Sequence, residues 1–286
     1  MFKFNFLAEN REETDLSMTV NTIKKSETSI PEADGQEVEM SDDHFENAKQ
    51  YRENRSPTSI IRGFELVDLK HVEQLITSGK AGEFESINTA IQMNSDVVKG
   101  VYEGGLKVWE CTLDLLDYLD KEHVQFDTLT VLDLGCGAGL LGIHALRKGA
   151  LAVDFQDYND EVLSLCTIPN VILNNEDVKD KVKFFAGDWG SLNCKLQSYD
   201  IILTAETIYN PENYRKLIGI FEGTIKKNGV IYVATKHVYF GVGGNLYEFE
   251  KLLQQSGRWN TSICFCSNEG VKREILKITR SADHTN

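Results

Sequence analysis

The sequence predicts an α/β protein with a doubly wound, mostly parallel sheet of seven strands, helices on both faces and an antiparallel hairpin at the C-terminal end. Two observations support this prediction. After residue 100, apolar runs of strand length alternate with segments of helical period, as in repeated βαβ units. The last two strand-like runs follow one another without a helix between them, which is typical of an antiparallel pair.

Each predicted element rests on its own pattern. Short runs rich in Val, Ile, Leu and Phe predict strands at residues 130–134, 152–156, 182–186, 200–204, 229–234, 261–266 and 273–279. Apolar residues spaced three and four apart predict helices at residues 109–119, 140–147, 161–166, 214–226 and 247–255. A similar pattern at residues 66–76, followed by Ser78 and Gly79, predicts a helical lead-in over residues 61–99.

Residues 1–60 differ in composition from the rest of the chain. They hold thirteen acidic and seven basic residues and few clustered apolar ones, so we expect the segment to be largely disordered. Residues 2–6 are the exception, because Phe alternates with polar residues there. This alternation predicts a short strand that docks on the main domain.

A glycine-rich loop follows the first predicted strand. Residues 131–142 read VLDLGCGAGLLG, so an apolar strand ends in a loop where Gly135 and Gly137 allow a ligand to approach the backbone closely. The next helix directs its free amides to the same place. Because ligands of doubly wound sheets bind at the carboxyl ends of the strands, the loop predicts a cofactor site.

Two carboxylates indicate which cofactor suits this loop. Asp133 immediately precedes the glycines, where a negative charge repels the pyrophosphate of a nicotinamide dinucleotide but suits the sulfonium and amino groups of S-adenosylmethionine. Asp157 ends the second strand, about 20 residues after the loop, and is placed to accept ribose hydroxyls. The pattern favours S-adenosylmethionine, with S-adenosylhomocysteine as product, over a dehydrogenase cofactor.

The third predicted strand ends at Gly187, Asp188 and Trp189. The carboxylate of Asp188 can accept the adenine amino group, and the indole of Trp189 can stack on the purine. Taken alone, the same residues fit an exposed aspartate and a core tryptophan equally well. Beside the glycine loop, the adenine-binding interpretation is favoured.

Composition excludes several classes of function. The net charge of −14 opposes direct binding of nucleic acid phosphates, and it suits either a basic protein partner or simply solubility. No apolar run reaches about 18 residues, so we expect no membrane-spanning helix. The six cysteines have no zinc-ligand spacing, so we expect no metal and interpret them as reduced thiols of a cytosolic or nuclear protein.

Four stretches together resemble a known family. They are YEGGLKVWECT within residues 100–112, FQDYN at 155–159, TAETIYNP at 204–211 and YFGVGG at 239–244. As a set they resemble the histidine protein methyltransferases, which are seven-β-strand, Rossmann-like class I enzymes dependent on S-adenosylmethionine. That family methylates a histidine of a large-subunit ribosomal protein. The resemblance implies a methyltransferase domain over residues 100–286.

The resemblance also implies roles for individual residues. Contacts to the methionine part of the cofactor would come from Trp109, Glu110, Cys111 and Thr112. The ribose would be held by Gln156, Asp157 and Tyr158, and the adenine by Gly187, Asp188 and Trp189. Ala205, where the family pattern has Ser, would lie at the methyl-bearing end.

The acceptor pocket is expected around the stretch at residues 206–210. The resemblance places Glu206 and Tyr209 there, and Glu206 or Asn210 would hold one imidazole nitrogen while the other attacks the methyl group. Protein-lysine methylation on the same fold and a non-catalytic module that binds a ribosomal protein remain alternatives. We expect a monomer in the cytoplasm, with a nuclear or nucleolar location as the alternative.

Overall fold

The strands form one large mixed sheet and one small hairpin. The computed structural model describes residues 33–53, 59–69, 72, 75–76, 84–175, 177–192, 194–267 and 269–281. In chain order the strands are β1 (Gln36–Val38), β2 (Ser59–Ile61), β3 (Phe64–Leu66), β4 (Thr130–Leu134), β5 (Ala152–Asp157), β6 (Val182–Ala186), β7 (Tyr199–Ala205), β8 (Ile225–Lys236), β9 (Trp259–Ser267) and β10 (Arg273–Arg280).

The large sheet has the order β1-β6-β5-β4-β7-β8-β10-β9, and β2 pairs with β3 separately. Its five central strands are parallel to one another, whereas β1, β10 and β9 run antiparallel to their neighbours. The chain moves outward from β4 to β6 and then returns to the other side of β4 as β7. This reversal creates a crevice at the carboxyl ends of β4 and β7, where doubly wound sheets bind ligands.

The fold class and the C-terminal hairpin are confirmed, but the predicted number of strands is wrong. The sheet has eight strands because β1 adds to its edge, with Gln36 paired to Ala186 and Val38 to Phe184. The sequence gives no sign of β1 because it is only three residues long and lies in an acidic, polar segment. Pairing with the exposed edge of β6 makes these residues a strand.

The helices are α1 (Asp42–Glu53), α2 (Glu85–Met93), α3 (Glu110–Lys121), α4 (Leu140–Arg147), α5 (Asp160–Val162), α6 (Ile168–Asn174), α7 (Trp189–Leu192), α8 (Tyr214–Thr224) and α9 (Leu246–Gln254). A π-helical turn, Leu163–Thr167, joins α5 to α6 without a break. Helices α3 and α4 pack on one face of the sheet, and α8 and α9 pack on the other. Strand alternation divides the core accordingly, since Val131 faces the first layer whereas Leu132 and Leu134 face the second.

The N-terminal segment packs on the domain wherever the structure describes it. Of the residues 1–60 that we expected to be largely disordered, 33–53 hold β1 and α1, and Ala48 and Tyr51 of α1 are buried against the core. The strand predicted at residues 2–6 lies outside the described residues. The predicted lead-in contains the β2–β3 hairpin and α2, with Leu69, Val72, Leu75 and Ile76 helical between them.

None of the described helices combines the length and apolar character needed to cross a membrane. Likewise, the part of the chain that the structure describes holds no cluster of His, Cys, Asp and Glu side chains suited to a metal ion.

Candidate active site

A cleft opens at the carboxyl ends of β4, β5, β6 and β7, where doubly wound sheets bind their ligands. Thirteen of the seventeen residues proposed from the sequence line this cleft, so the fold brings most of them together: Trp109, Thr112, Gly135, Gly137, Gln156, Asp157, Tyr158, Gly187, Asp188, Trp189, Ala205, Glu206 and Tyr209.

The glycine loop forms one wall, and a second chain segment lies directly against it. Gly137 has a φ of 50°, and a Cβ there would lie 2.8 Å from the carbonyl oxygen of Gly105. Its amide donates to Asp157 Oδ2 at 2.9 Å, and its carbonyl accepts from the Thr167 hydroxyl at 2.5 Å. The π-helical turn that contains Thr167 therefore helps to hold the loop in shape.

Asp157 is buried at the end of β5 and lines the cleft. Burial raises its pKa to about 6, although hydrogen bonds from the amides of Gly137, Asn159 and Tyr158 oppose the shift. A ligand that donates hydrogen bonds or carries positive charge stabilises the ionised carboxylate. Asp157 thus lines the cleft with a carboxylate that suits a hydrogen-bond donor, and its contact with ribose hydroxyls stays a prediction.

Gln156 joins three parts of the site. Its Oε1 accepts from the indole of Trp189 at 2.8 Å and from the Gly135 amide at 3.3 Å, and its Nε2 donates to the Gly187 carbonyl at 3.0 Å. Next to it, Asp188 accepts from the Gly190 amide and from Lys216 Nζ at 2.9 Å. The end of the cleft predicted for adenine is therefore held by polar contacts between its own walls.

Asp133 does not line the cleft, unlike most of the predicted site residues, and its contact with the cofactor stays a prediction. It faces α4, where its Oδ2 accepts from the Gly142 amide at 2.8 Å and so caps a helix that has no capping side chain of its own. Burial, with a smaller contribution from Asp157, raises the pKa of Asp133 to about 8. Strand alternation explains this placement, because Asp133 and Val131 point to the same face of β4.

Glu206 follows β7 and has a φ of 59°, a left-handed conformation that is strained for a residue with a side chain. Its amide donates to the Ala234 carbonyl at 2.9 Å, which holds this conformation in place. The Cys111 thiol and the Tyr239 hydroxyl interact with the carboxylate. Among the described residues, Oε1 of Glu206 has no hydrogen-bond partner although the side chain is only 6% exposed. The strained backbone therefore holds an acceptor oxygen in the wall of the cleft.

Tyr209 lines the cleft beside Glu206, and its ring centroid lies 6.4 Å from that of Tyr239. Tyr239 belongs to the loop after β8, whose Gly244 amide donates to the Tyr209 carbonyl at 2.9 Å. A Cβ on Gly244 would lie 2.2 Å from the Ile208 carbonyl oxygen. The predicted stretches at 204–211 and 239–244 thus meet through backbone contact.

Three further predicted residues lie outside the cleft. Cys111 is buried behind Glu206, and Glu110 is half exposed, with its carboxylate 3.6 Å from Lys236 Nζ. Asn210 is buried, and its Oδ1 accepts from the Glu212 amide at 3.2 Å to cap the short helix Pro211–Asn213. Asn210 therefore has a structural role through its Oδ1 and does not line the cleft, and its contact with the acceptor stays a prediction.

Several residues at or near the cleft were not predicted from the sequence. The segment from Glu103 to Val108 covers the glycine loop, and its adjacent Gly104 and Gly105 were the available signal. Lys236, at the end of β8, has its Nζ 3.7 Å from Glu206 Oε1, a neighbour that sequence spacing does not indicate. His237, which follows it, pairs instead with Glu274 at 2.6 Å.

The acidity of the cleft fits a cationic nucleoside. Glu103, Asp157 and Glu206 line it, and in the described part of the chain both Glu103 Oε2 and Glu206 Oε1 are buried without a hydrogen-bond partner. Lys107, a cation of the cleft wall, is paired with Asp96 at 2.7 Å. Unpartnered acceptor oxygens favour donors and positive charge over a pyrophosphate. The cofactor preference therefore comes from these carboxylates rather than from Asp133.

Known proteins resemble this chain in sequence and fold. Residues 86–241 match the model of a family described as lysine methyltransferase. A bovine protein named histidine protein methyltransferase 1 homolog is 38% identical over 261 residues, which cover 81% of this chain and 69% of that protein. The mouse protein of the same name is 41% identical over 222 residues. The chain belongs to the histidine protein methyltransferase family.

Membership of this family makes S-adenosylmethionine the methyl donor of this protein. The match to the mouse relative covers 68% of this chain and 61% of that protein. A Bacillus subtilis protein named YcgJ, at 13% identity and a TM-score of 0.50, is matched over 59% of this chain and 100% of its own length. That likeness shows a shared fold alone.

Proposed function

We propose that this protein transfers a methyl group from S-adenosylmethionine to a histidine of a basic, large-subunit ribosomal protein. Two observations support the proposal: the named relatives are histidine methyltransferases, and the cleft wall holds a buried oxygen, Glu206 Oε1, that has no hydrogen-bond partner among the described residues. The second observation supports histidine as the acceptor. A neutral imidazole has one N–H, which can donate to this oxygen, and one nucleophilic nitrogen, which can attack the methyl group.

Bound S-adenosylmethionine supplies an electrophilic methyl group on a sulfonium. One imidazole nitrogen of the substrate would take up this methyl group with its lone pair, and the neutral thioether S-adenosylhomocysteine would be the other product. Glu206 Oε1 is placed to accept the hydrogen bond from the other nitrogen, which fixes the tautomer and stabilises the imidazolium that forms. Trp109 and Tyr209 supply apolar walls that exclude water from the reacting atoms.

The choice of histidine over lysine follows from the charge state of the acceptor. Histidine, with an unperturbed pKa near 6.5, is largely neutral at pH 7, whereas lysine must first lose a proton from a group of pKa near 10.4. The described wall of the cleft offers Glu206 and Tyr209 but no unpaired neutral base. Positioning is therefore the main task of these residues.

A methylation assay tests the function. The enzyme is incubated with S-adenosylmethionine and purified large-subunit ribosomal proteins, and mass spectrometry identifies the modified residue. Methylhistidine is the expected product. Methyllysine would establish the alternative acceptor, and tight binding of a ribosomal protein without methylation would establish the scaffold interpretation. The same preparations give the oligomeric state, for which we propose a monomer, and imaging of the tagged protein tests a cytoplasmic or nuclear location.

The Glu206→Ala variant tests the role of the unpartnered oxygen. We expect turnover to fall by about 100-fold or more, as for loss of one charge-stabilising group, while the affinity for S-adenosylmethionine stays within about threefold. Glu206→Gln should lie between the two, because its amide oxygen still accepts a hydrogen bond but carries no charge. Turnover is measured by methyl transfer and affinity by isothermal titration.

Glu212→Ala serves as the matched control, since Glu212 is an exposed glutamate six residues further along the same loop. It should leave both quantities unchanged. Loss of cofactor binding in Glu206→Ala would instead assign Glu206 to the cofactor site, and full activity would remove it from the mechanism.

A further inference from the structure

Lys236 provides a fixed positive charge behind the acceptor end of the cleft. Its Nζ lies 3.7 Å from Glu206 Oε1, 3.6 Å from Glu110 Oε2 and 5.4 Å from the centroid of the Trp109 ring. The side chain is 20% exposed, so solvent screens these contacts only in part. Lys236 does not line the cleft, and it therefore acts on an acceptor through Glu206.

The other charged groups around this end of the cleft are paired with partners of their own. Lys107 pairs with Asp96, Arg273 of β10 with Asp114 of α3, and His237 with Glu274. The Cys111 thiol and the Tyr239 hydroxyl also interact with Glu206, and burial raises the pKa of both groups. The positive charge of Lys236 thus offsets part of the negative charge of Glu206 and Glu110.

We propose that Lys236 is a specificity-determining residue that makes the acceptor pocket select a neutral imidazole over a cationic side chain. An acceptor nitrogen that carries a proton has no lone pair for methyl transfer. Glu206 and Glu110 alone would attract a lysine ammonium or an imidazolium and hold it in that unreactive state. The positive charge of Lys236 offsets this attraction. The acceptor can then form its hydrogen bond to Glu206 as a neutral imidazole and keep a free lone pair.

The inference rests on the proposed histidine methylation, and it also identifies a feature by which the pocket can distinguish histidine from lysine. A pocket for lysine has to bind a side chain that is charged at neutral pH before it loses its proton. A second ammonium beside the acceptor opposes that binding step. Histidine avoids the conflict because its neutral form dominates near pH 7.

The test compares Lys236→Met and Lys236→Arg with the wild type across pH. The substrate is the protein segment that the mass spectrometry identifies. In the enzyme–substrate complex kcat follows deprotonation of the bound imidazole, so removing the charge should move the midpoint of the kcat profile to higher pH by about one unit. Lys236→Met should therefore be slow near neutral pH and recover at alkaline pH, whereas Lys236→Arg keeps the wild-type midpoint.

A second substrate with Lys in place of the acceptor histidine measures the selection directly. Its KM should fall in Lys236→Met relative to the wild type, since the opposing charge has gone. Lys272→Met is the matched control, because Lys272 immediately precedes the neighbouring strand β10 and pairs with Glu274 rather than Glu206. That control should behave as the wild type, and the affinity for S-adenosylmethionine should be unchanged throughout.

An unmoved kcat midpoint in Lys236→Met, or a Lys236→Arg variant as impaired as Lys236→Met, would overturn the proposal. Lys236→Gln provides a second neutral variant, and thermal unfolding identifies any variant that has lost its fold. Failure of the proposed function is visible separately, because the wild type would then form no methylhistidine at any pH.

Discussion

The side chain of Gln156 connects several segments of the cleft wall through hydrogen bonds. Its amide oxygen and nitrogen are both occupied by loops of the protein, at Gly135, Gly187 and Trp189. It therefore fixes the distance between the glycine loop and the indole rather than recognising a ligand through free polar atoms. The sequence predicts its place in the site correctly, but this contact pattern could not be predicted.

The contribution of Asp133 to the free energy of unfolding depends on pH. Its pKa of about 8 in the folded protein lies above the ordinary value of 3.8, so the folded state binds the extra proton between these two values. The stabilisation from this proton is complete below pH 3.8 and is lost as pH rises through about 8. Burial is the cause, because the charged carboxylate has lost its water.

The Asp133→Asn variant measures this effect, since Asn keeps an oxygen for the Gly142 amide but does not titrate. Between about pH 5 and about pH 8, the free energy of unfolding of the wild type should fall relative to the variant, by at most about 1.4 kcal/mol per pH unit. Urea unfolding followed by tryptophan fluorescence gives both curves. Asp180→Asn, at an exposed aspartate, is the control and should run parallel to the wild type. Parallel curves for Asp133→Asn would show that Asp133 is ionised throughout.

At the scale of elements, β1 does more than extend the sheet. Just before it, the Ala33 carbonyl accepts from the Asp188 amide at 3.0 Å and from the Ser191 hydroxyl at 3.2 Å. A Cβ on Gly187 would lie 2.6 Å from the Asp34 carbonyl oxygen. Residues 33–38 therefore lie against the loop predicted to bind adenine and support it from behind.

The Gly35→Val variant tests this support. A Cβ at Gly35 would lie 2.7 Å from the Leu192 side chain, so valine should displace the segment and break the Ala33 contacts. Loss of two hydrogen bonds of ordinary strength predicts about tenfold weaker binding of S-adenosylmethionine by isothermal titration. Glu37→Val introduces the same side chain at an exposed position of β1 and should bind normally. Equal affinities in the two variants would show that the segment does not support the cofactor site.

At the scale of the whole molecule, the net charge of −14 has two possible purposes, attraction of a basic protein and solubility. The dependence of KM on salt concentration distinguishes these two interpretations. If attraction matters, KM for a basic ribosomal protein should rise as NaCl increases from about 50 to about 500 mM, because screening shortens the range of the field. Steady-state methylation measures KM, and a short neutral peptide with the same acceptor is the control. An unchanged KM would leave solubility as the purpose of the acidity.

Much of the fold could be predicted because its signals are local. The run Val131–Leu134 and the apolar spacing of Leu140–Arg147 identify a strand and a helix from neighbouring residues alone. The three residues of β1 have no such pattern, since only the edge of β6 makes them a strand. The π-helical turn at Leu163–Thr167 is likewise set by packing and by the contact of Thr167 with Gly137.

The sequence by itself determined the order of strands and helices, the position of the glycine loop and most residues of the cleft, because each depends on residues close together in the chain. The tertiary structure decided which side chains face the cleft. It placed Asp133 behind the loop and Asn210 in a helix cap, and it set Lys236 against Glu206. Those outcomes depend on which face of a strand a side chain points to and on which strands become neighbours, and both are settled only when the sheet forms.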